Sequence, residues 1–226
     1  MKIMKVIDFY ENRTNLIEAA QEAADAMERG EVIVYPTDTV YGFGCDAENV
    51  EAIKTIKSLK VRDSAKPLSV IMDSVEMMKH YVHFNAEKEK IIKKLLPGKF
   101  TIILPLKGTR RLPPELTGGV PNLGVRIPAY DLTAAIASEL GKPYVSTSVN
   151  VSGEPPEIWG VDIINKYQKH ALRPDLIIDA GKISETPTVS TVVDLTGKQL
   201  RITRTGAVTP MELLRLLSVE PEVSKS

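Results

Sequence analysis

A cluster of basic side chains near the end of a predicted helix indicates a binding site for an anion. Five basic residues fall within thirteen positions, opposed only by Asp63: Lys54, Lys57, Lys60, Arg62 and Lys66. The first two fit the polar face of the helix, where a solvated lysine is the ordinary interpretation. The other three lie at or beyond the helix end, and the helix dipole explains some of that preference. An apolar strand pattern follows at once and holds this loop close to a sheet, so the fixed cations suit a polyphosphate.

A polar segment from Pro36 to Gly44 directly follows an apolar run that is typical of a buried strand. It carries two threonine hydroxyls, a carboxylate and a phenol within five residues, and Thr39 is one of these. Ligands of open α/β sheets gather at the carboxyl ends of strands, so the segment is a candidate binding loop. The alternative is a turn held by its own Asp and Thr side chains, and composition alone slightly favours the turn.

A second polar segment, from Val145 to Gly153, contains four hydroxyl groups and one amide after another predicted strand. Alternation along the strand places Ser146 and Ser148 on one face and Thr147 on the other. Such groups can hold phosphate oxygens or a small polar substrate without adding charge. The alternative is a cluster of helix-cap and turn residues, which is common in loops.

Arg126 lies inside an apolar strand pattern, and we group it with two further polar residues, Ser190 and Arg204. An inward guanidinium needs an anionic partner, because an unpaired buried charge is costly. Either a structural carboxylate or the carboxylate of a ligand meets that need, and the sequence leaves both open.

Several common catalytic patterns are absent from the sequence. It contains neither of the usual glycine-rich phosphate loops and neither Gly-x-Ser-x-Gly nor Ser-x-x-Lys. His80 and His83 lie one turn apart on a predicted helix, but no Cys or His cluster completes a metal site with them. We therefore expect a solvated histidine pair and no protein-bound metal.

Length and charge limit the class of protein. The chain has 226 residues, with 29 basic and 29 acidic side chains, which excludes a protein that coats nucleic acid by bulk positive charge. The length fits one domain over 1–226, with a core over about 14–208 and a helix and tail over 209–226. The lone Cys45 excludes an internal disulfide and suits a reducing compartment. No signal peptide or membrane-spanning run is present, so we expect a cytoplasmic protein with no membrane association.

Apolar periodicity predicts an α/β fold of the mixed α+β kind. Strands are predicted near 32–35, 68–72, 100–106, 123–127, 144–148, 176–179, 190–195 and 199–204. Helices are predicted after Asn15, Asn49 and Thr209 and near 74–82, 86–96, 132–140 and 161–170, with a long loop over 107–121. Because the strands cluster towards the end, an open, twisted, largely mixed sheet with covering helices is favoured over a doubly wound parallel sheet.

Seven segments together resemble the YrdC/YciO family of threonylcarbamoyl-AMP synthases. They span about residues 30–208 in the order found in that family: YPTDTVYGFGCDA, Lys60-x-Arg62 with Lys66-Pro67-Leu68, PGKFTIIL, LGVRIP, STSVNVSG, PTVSTVVD and ITRTGAV. The resemblance implies a twisted α/β sheet with a concave, basic cavity. It also implies the conversion of L-threonine, bicarbonate and ATP to threonylcarbamoyl-AMP and pyrophosphate, for the threonylcarbamoyladenosine modification of tRNA.

The resemblance assigns roles to eleven residues by their positions in these motifs. A threonine pocket is implied for Thr39, Arg126, Ser146 and Ser190, and contacts to ATP for Arg62, Lys66, Asn122, Ser148, Asn150 and Arg204. Lys60 is implied as the catalytic residue near the reacting centre. Mg²⁺ would arrive with ATP, and tRNA and the downstream threonylcarbamoyl-transferase machinery are implied as partners.

The sequence departs from the synthase pattern at one position that bears on activity. Ile71 occurs where synthase-type members carry a histidine, and YciO-like members also lack that histidine. Strand alternation places Ile71 on the same face as Ser69, so we expect it to form an apolar wall of the threonine pocket. A YciO-like nucleotide- or RNA-binding paralogue with little synthase activity is the alternative. A dedicated RNA-binding module is disfavoured, since aromatic residues make up only 5% of the chain.

Overall fold

Ten strands form a single mixed sheet in the computed structural model, which describes residues 3–10, 15–63, 65–108 and 112–218. The strands are β1 (Lys5–Asp8), β2 (Ile33–Tyr35), β3 (Gly42–Gly44), β4 (Ser69–Ile71), β5 (Phe100–Pro105), β6 (Asn122–Arg126), β7 (Tyr144–Ser148), β8 (Leu176–Asp179), β9 (Thr191–Asp194) and β10 (Arg201–Arg204). Their order across the sheet is β1-β8-β2-β3-β7-β4-β6-β5-β9-β10. Four neighbouring pairs are parallel and the other five are antiparallel. The predicted mixed sheet is therefore confirmed.

Helices pack on both faces of this sheet. Within the described residues they are α1 (Leu16–Glu28), α2 (Val50–Leu59), α3 (Val75–Tyr81), α4 (Ala86–Leu95), α5 (Pro114–Thr117), α6 (Asp131–Leu140), α7 (Gly160–Tyr167) and α8 (Pro210–Ser218). None of the described helices is long and apolar enough to cross a membrane.

Strand alternation divides the apolar side chains between two cores. Val34, Val70 and Val125 point into the larger core, where α2, α3, α4 and α7 contribute apolar residues. Ile33 and Ile71 point to the opposite face and pack with α1 and α6 in the smaller core. Successive residues of one strand thus reach opposite faces, as strand geometry requires. Farther along β7, β4, β6 and β5, the face of the smaller core carries polar residues instead.

Helices begin directly after Asn15, Asn49 and Thr209, as predicted, and the side chains of the last two residues cap their helices. Asn49 accepts a hydrogen bond from Ala52 N at 3.0 Å. The Thr209 and Glu212 side chains each accept from the other residue's backbone N–H, which is a capping box. The helix pattern also suggested Asn15 as a capping residue, and this is wrong, because its side chain makes no cap hydrogen bond and its φ and ψ of −95° and 34° are not extended.

Three short elements lie outside the predicted set: β1, β3 and α5. Residues 42–44 were predicted to lie in a loop, and this is wrong because they form β3. Their glycines are needed for close packing and not for a turn. A Cβ atom at Gly42 would lie 2.9 Å from the ring of Tyr35, so glycine lets that ring cover the strand. The helix α5 interrupts the predicted loop 107–121, where residues 109–111 are outside the description. The single domain over 1–226 stays a prediction, and its expected tail lies beyond the described residues.

Candidate active site

An open cavity of about 110 Å³ lies on the sheet face that also carries the smaller core. Its wall includes six residues that the sequence analysis singled out: Arg62, Arg126, Ser146, Ser148, Ser190 and Arg204. They come from the loop after α2, from β6, β7 and β10, and from the residue before β9. The fold therefore brings three guanidinium groups and three hydroxyl groups from distant parts of the chain to one place.

The floor of the cavity forms where β4 pairs with its two neighbours. Ser69 lies opposite Gly124 on one side and opposite Ser146 on the other. A Cβ atom at Gly124 would lie only 2.7 Å from Ser69 Oγ and 3.2 Å from Thr101 Cγ2. Glycine therefore keeps the floor at the level of the backbone, where a ligand can approach the strands closely. Sequence reasoning predicted Ser146 but missed the part played by Gly124 and Thr101, because alternation identifies floor residues only when the neighbouring strands are known.

Arg126 is held by a carboxylate and a hydroxyl of one loop. Its Nη2 donates to Asp38 Oδ1 at 3.0 Å and to Thr39 Oγ1 at 3.1 Å. The side chains of Arg126 and Asp38 are only 9% and 5% exposed. Of the two partners that the sequence left open, the structure thus contains the structural carboxylate. Arg126 Nε is buried with no hydrogen-bond partner in the described part of the chain, so the guanidinium keeps capacity for a ligand.

The loop between β2 and β3 is a turn that supplies this carboxylate. Asp38 Oδ2 accepts from the backbone N of Ala129 at 3.0 Å. Thr37 Oγ1 donates to Val40 O at 2.7 Å and lies 3.0 Å from Thr39 Oγ1. The two interpretations of the segment are therefore compatible. Its own side chains hold the turn, and the turn places Asp38 and Thr39 against Arg126.

Arg204 and Ser190 form the opposite side of the cavity. Arg204 Nη2 donates to Ser190 O at 2.8 Å and to Ser190 Oγ at 3.1 Å. Ser190 Oγ lies 2.8 Å from Thr101 Oγ1, and this contact holds the Ser190 hydroxyl against β5. Burial, with repulsion from Arg126 and Arg62, lowers the pKa of Arg204. Arg204 is thus close enough to the other two guanidinium groups to be repelled by both, and an anion between them would relieve that repulsion.

Arg62 reaches the cavity from the end of α2. Val61 before it has φ of 49°, a left-handed conformation. The backbone N–H groups of Arg62 and Val61 donate to Lys57 O at 2.9 Å and Ser58 O at 3.1 Å, which is a Schellman motif. Arg62 Nη2 donates to Pro67 O at 3.0 Å, and burial lowers the pKa of the guanidinium. Its Nε is buried and has no hydrogen-bond partner among the residues described.

Lys60 lies behind the cavity wall, not on its surface. Its ammonium donates to Asn150 Oδ1 at 2.6 Å, to Asn150 O at 3.2 Å and to Ser148 O. Burial, with smaller contributions from Arg62 and Lys166, lowers the pKa of Lys60 to about 7. The three oxygen acceptors act in the other direction and favour the ammonium form. The contacts fix the loop after β7, and the catalytic role of Lys60 stays a prediction.

Thr39, which binds Arg126, is not part of the cavity wall, and three further candidates also lie outside it. Lys66 is exposed, and Asn122 begins β6 at the end opposite the guanidinium. The amide of Asn150 is used internally, since its Oδ1 accepts from Ser148 Oγ at 2.7 Å and its Nδ2 donates to Glu154 O at 2.7 Å. The ATP contacts implied for these residues stay predictions.

Comparison with known proteins assigns the chain to a family. Residues 25–206 match the family model of Sua5, YciO and YrdC proteins, which carries the description "Telomere recombination". The chain belongs to the Sua5/YciO/YrdC family. A threonylcarbamoyl-AMP synthase of Thiobacillus denitrificans is 35% identical over 187 residues, covering 81% of this chain and 96% of that protein. Similar relatives from other bacteria carry the same name.

Solved structures of the Sua5/YciO/YrdC family share this fold. Sua5 of P. abyssi, complexed with L-threonine, matches with a TM-score of 0.81 and 26% identity over 96% of this chain. The match spans 61% of that Sua5 chain. YciO of E. coli matches with a TM-score of 0.76 and 26% identity, covering 92% of this chain and 97% of that one.

Ile71, the departure from the synthase pattern of the family, lies outside the cavity. It is fully buried in the smaller core and lies in register with Arg126 on β6. The prediction that it shares a face with Ser69 is correct. The prediction that it forms an apolar wall of the threonine pocket is wrong, because side chains of α6 pack in the same core over this end of β4.

Proposed function

We propose that this chain is an L-threonylcarbamoyladenylate synthase, which forms threonylcarbamoyl-AMP and pyrophosphate from L-threonine, bicarbonate and ATP. The observation that carries the proposal is the cavity, in which Arg62, Arg126 and Arg204 converge beside serine hydroxyls. The names of the curated relatives and the threonine complex of Sua5 support it. These relatives are named for the synthesis of threonylcarbamoyl-AMP, and ATP and threonine are the substrates that such a product requires.

The charges of the cavity fit these two substrates. Asp38 pairs with Arg126, while no carboxylate is paired with Arg62 or Arg204 in the described residues. Two guanidinium groups are therefore available for phosphate oxygens, with paired hydrogen bonds that arginine gives best. The unused donors of Arg126 suit a single carboxylate such as that of threonine. Hydroxyls of Ser146 and Ser190 can bind the polar groups of the amino acid without adding charge.

The reaction needs positioning and charge stabilisation more than it needs a protein nucleophile. The threonine amine first adds to the carbon of CO₂ and loses a proton, or it attacks bicarbonate with loss of water, and either route gives a carbamate. A carbamate oxygen then attacks the α-phosphorus of ATP, and the bond from that phosphorus to the bridging oxygen breaks. Pyrophosphate leaves with the electron pair of that bond. Guanidinium groups that face the phosphates stabilise the charge that develops on these oxygens.

Mg²⁺ enters this scheme as part of the substrate, in the form of its complex with ATP. Among the described residues no group of three or more His, Cys, Asp or Glu side chains could hold a metal ion. Asp38, the carboxylate that pairs with Arg126, also accepts a hydrogen bond from Ala129, so both of its oxygens are used. The proposal therefore places the ion on the phosphate oxygens, where it neutralises charge.

The product defines the wider setting that we propose. Threonylcarbamoyl-AMP is a mixed anhydride, which an acyl-transfer reaction on a nucleoside can consume. The proposal includes tRNA as the final acceptor, a downstream threonylcarbamoyl-transferase machinery as the partner that uses the intermediate, and the cytoplasm as the compartment.

A YciO-like nucleotide- or RNA-binding role is the second candidate, and one observation favours it. The chain has Ile71 where the synthase pattern has a histidine. Because Ile71 is buried in the smaller core, its effect on the cavity is indirect.

The test is the formation of pyrophosphate from ATP by the purified protein in the presence of threonine and bicarbonate. A synthase requires both co-substrates for this release, whereas a binding protein releases none.

A further inference from the structure

Asp38 is the only carboxylate that forms an ion pair with a cavity arginine in the described part of the chain. Both of its oxygens are used. Oδ1 accepts from Arg126 Nη2 at 3.0 Å, and Oδ2 accepts from the backbone N of Ala129 at 3.0 Å. Ala129 follows β6 by three residues, so Asp38 connects the loop after β2 to the end of the strand that carries Arg126. The carboxylate is therefore fixed at both oxygens.

This fixed carboxylate determines how the guanidinium faces the cavity. Its Nη2 donates to Asp38 and Thr39, whereas Nε is buried without a partner among the described residues. One part of the group is thus committed to the protein, and the rest can serve a ligand. A guanidinium recognises a carboxylate through directional hydrogen bonds, so its orientation decides which ligands it can hold.

We propose that Asp38 is a positioning residue, which orients Arg126 for a ligand carboxylate without contacting the ligand itself. The proposal rests on the proposed function for the identity of the ligand, threonine. Through Arg126, Asp38 would then help determine which amino acid the site binds. Asp38 also neutralises one of the three cavity arginines, so the positive charge facing the nucleotide comes from Arg62 and Arg204.

The rival explanation is that Asp38 binds the ammonium group of threonine directly. Both explanations predict weaker threonine binding when the carboxylate is lost. They differ in the ligand-free protein, because positioning requires the Arg126 side chain to change when Asp38 is lost, whereas direct binding of the ammonium group does not require such a change.

The experiment compares Asp38→Asn with a control, Asp46→Asn. Asp46 forms a similarly close ion pair with Lys142, at 2.5 Å, away from the cavity wall. Calorimetry should show threonine affinity reduced by about tenfold or more in Asp38→Asn and unchanged in Asp46→Asn. Affinity for Mg·ATP should stay within about threefold of wild type in both. An equal loss of both affinities in Asp38→Asn would indicate general damage to the cavity and overturn the proposal.

The second readout needs no ligand and separates this proposal from the proposed function. The ¹H–¹⁵N signal of Arg126 Nε is assigned by its loss in Arg126→Lys. We expect a sharp signal in the wild type and in Asp46→Asn, and a broadened or shifted one in Asp38→Asn. An unchanged signal would overturn the positioning role even if threonine binding falls. If the wild type binds no threonine, the proposed function fails while this readout still decides the role of Asp38.

A charge-retaining variant covers the case in which Asp38→Asn does not fold. Asp38→Glu keeps the negative charge but moves the carboxylate by one methylene. Positioning predicts the same shift of the Arg126 signal and the same loss of threonine affinity, whereas normal values for both would contradict it.

Discussion

Among single side chains, Arg62 gives a direct test of nucleotide binding, because its Nε is buried without a partner in the described chain. Arg62→Ala should weaken ATP binding about 10- to 100-fold, since hydrogen bonds to charged groups contribute roughly 1.5–3 kcal/mol. Arg201→Ala is the matched control, because that exposed arginine pairs with Asp194 at 2.9 Å and lies outside the cavity wall. Calorimetry on folded variants measures both affinities. Unchanged ATP affinity in Arg62→Ala would remove this residue from the site.

Lys60 makes the stability of the protein depend on pH. Its folded pKa of about 7 is below the ordinary value of 10.5, so between these values the unfolded state binds more protons than the folded state. The free energy of unfolding should therefore rise with pH across this window, by about 2 kcal/mol from pH 7 to pH 9. The variant Lys60→Met has no ammonium group to titrate, so its free energy of unfolding should lack this rise with pH.

Urea denaturation of the wild type and Lys60→Met at both pH values measures the effect. The stability difference between the two proteins should grow with pH. A constant difference would mean that the oxygens of Ser148 and Asn150 keep the ammonium charged throughout the window.

The identity of single partners was the part of the site that sequence could not supply. The position of Arg126 in an apolar strand predicted that it has an anionic partner. The prediction of an anion was correct. The partner Asp38 is 88 residues away in the chain, and its distance in space depends on how β2 and β6 are placed in the sheet. The same limit applies to Lys60, whose spacing from Arg62 suggested a shared phosphate site, although their side chains reach different places.

Among the elements, α2 ends in a strained backbone conformation at Val61. This β-branched residue has φ of 49° and is 74% exposed, so packing of its side chain does not compensate the strain. Val61→Gly should raise the melting temperature by about 2–4 °C, which corresponds to about 1 kcal/mol in a protein of this size.

The matched control introduces the same strain elsewhere. Gly141 ends α6 with φ of 65°, and a Cβ atom there would meet nothing within 4 Å. Gly141→Val should therefore lower the melting temperature by a similar amount through backbone strain alone. Differential scanning calorimetry compares the two variants, and a fall in Val61→Gly would contradict the account of α2.

Elements with a strong periodic pattern were predictable, and short ones without it were not. The helices α3 and α4 lie within two residues of their predicted limits, because apolar residues recur on one face and Ser74 and Asn85 cap their first turns. β3 has only three residues, two of them glycine, and its strand pairing depends on the ring of Tyr35 from β2. Such an element is determined by its neighbours, so local sequence does not reveal it.

For the molecule as a whole, the even balance of charge gives no indication that a basic site is present. The chain has a net charge of zero, yet three arginines line a single cavity, and among the described residues only one of them forms an ion pair with a carboxylate. Composition could therefore exclude a bulk nucleic-acid binder but could not locate a basic site. The order of the sheet creates the site, since it places β7, β4, β6, β5 and β9 side by side.

The release of pyrophosphate from Mg·ATP is the most direct measurement of the proposed synthase activity. Purified protein is assayed with threonine and bicarbonate together, with each omitted in turn, and with serine in place of threonine. We expect release that requires both co-substrates and that falls when serine replaces threonine. With threonine, release should fall in Arg62→Ala but not in Arg201→Ala. Release that ignores threonine, or no release by a protein that binds ATP, would contradict the synthase and favour the YciO-like role.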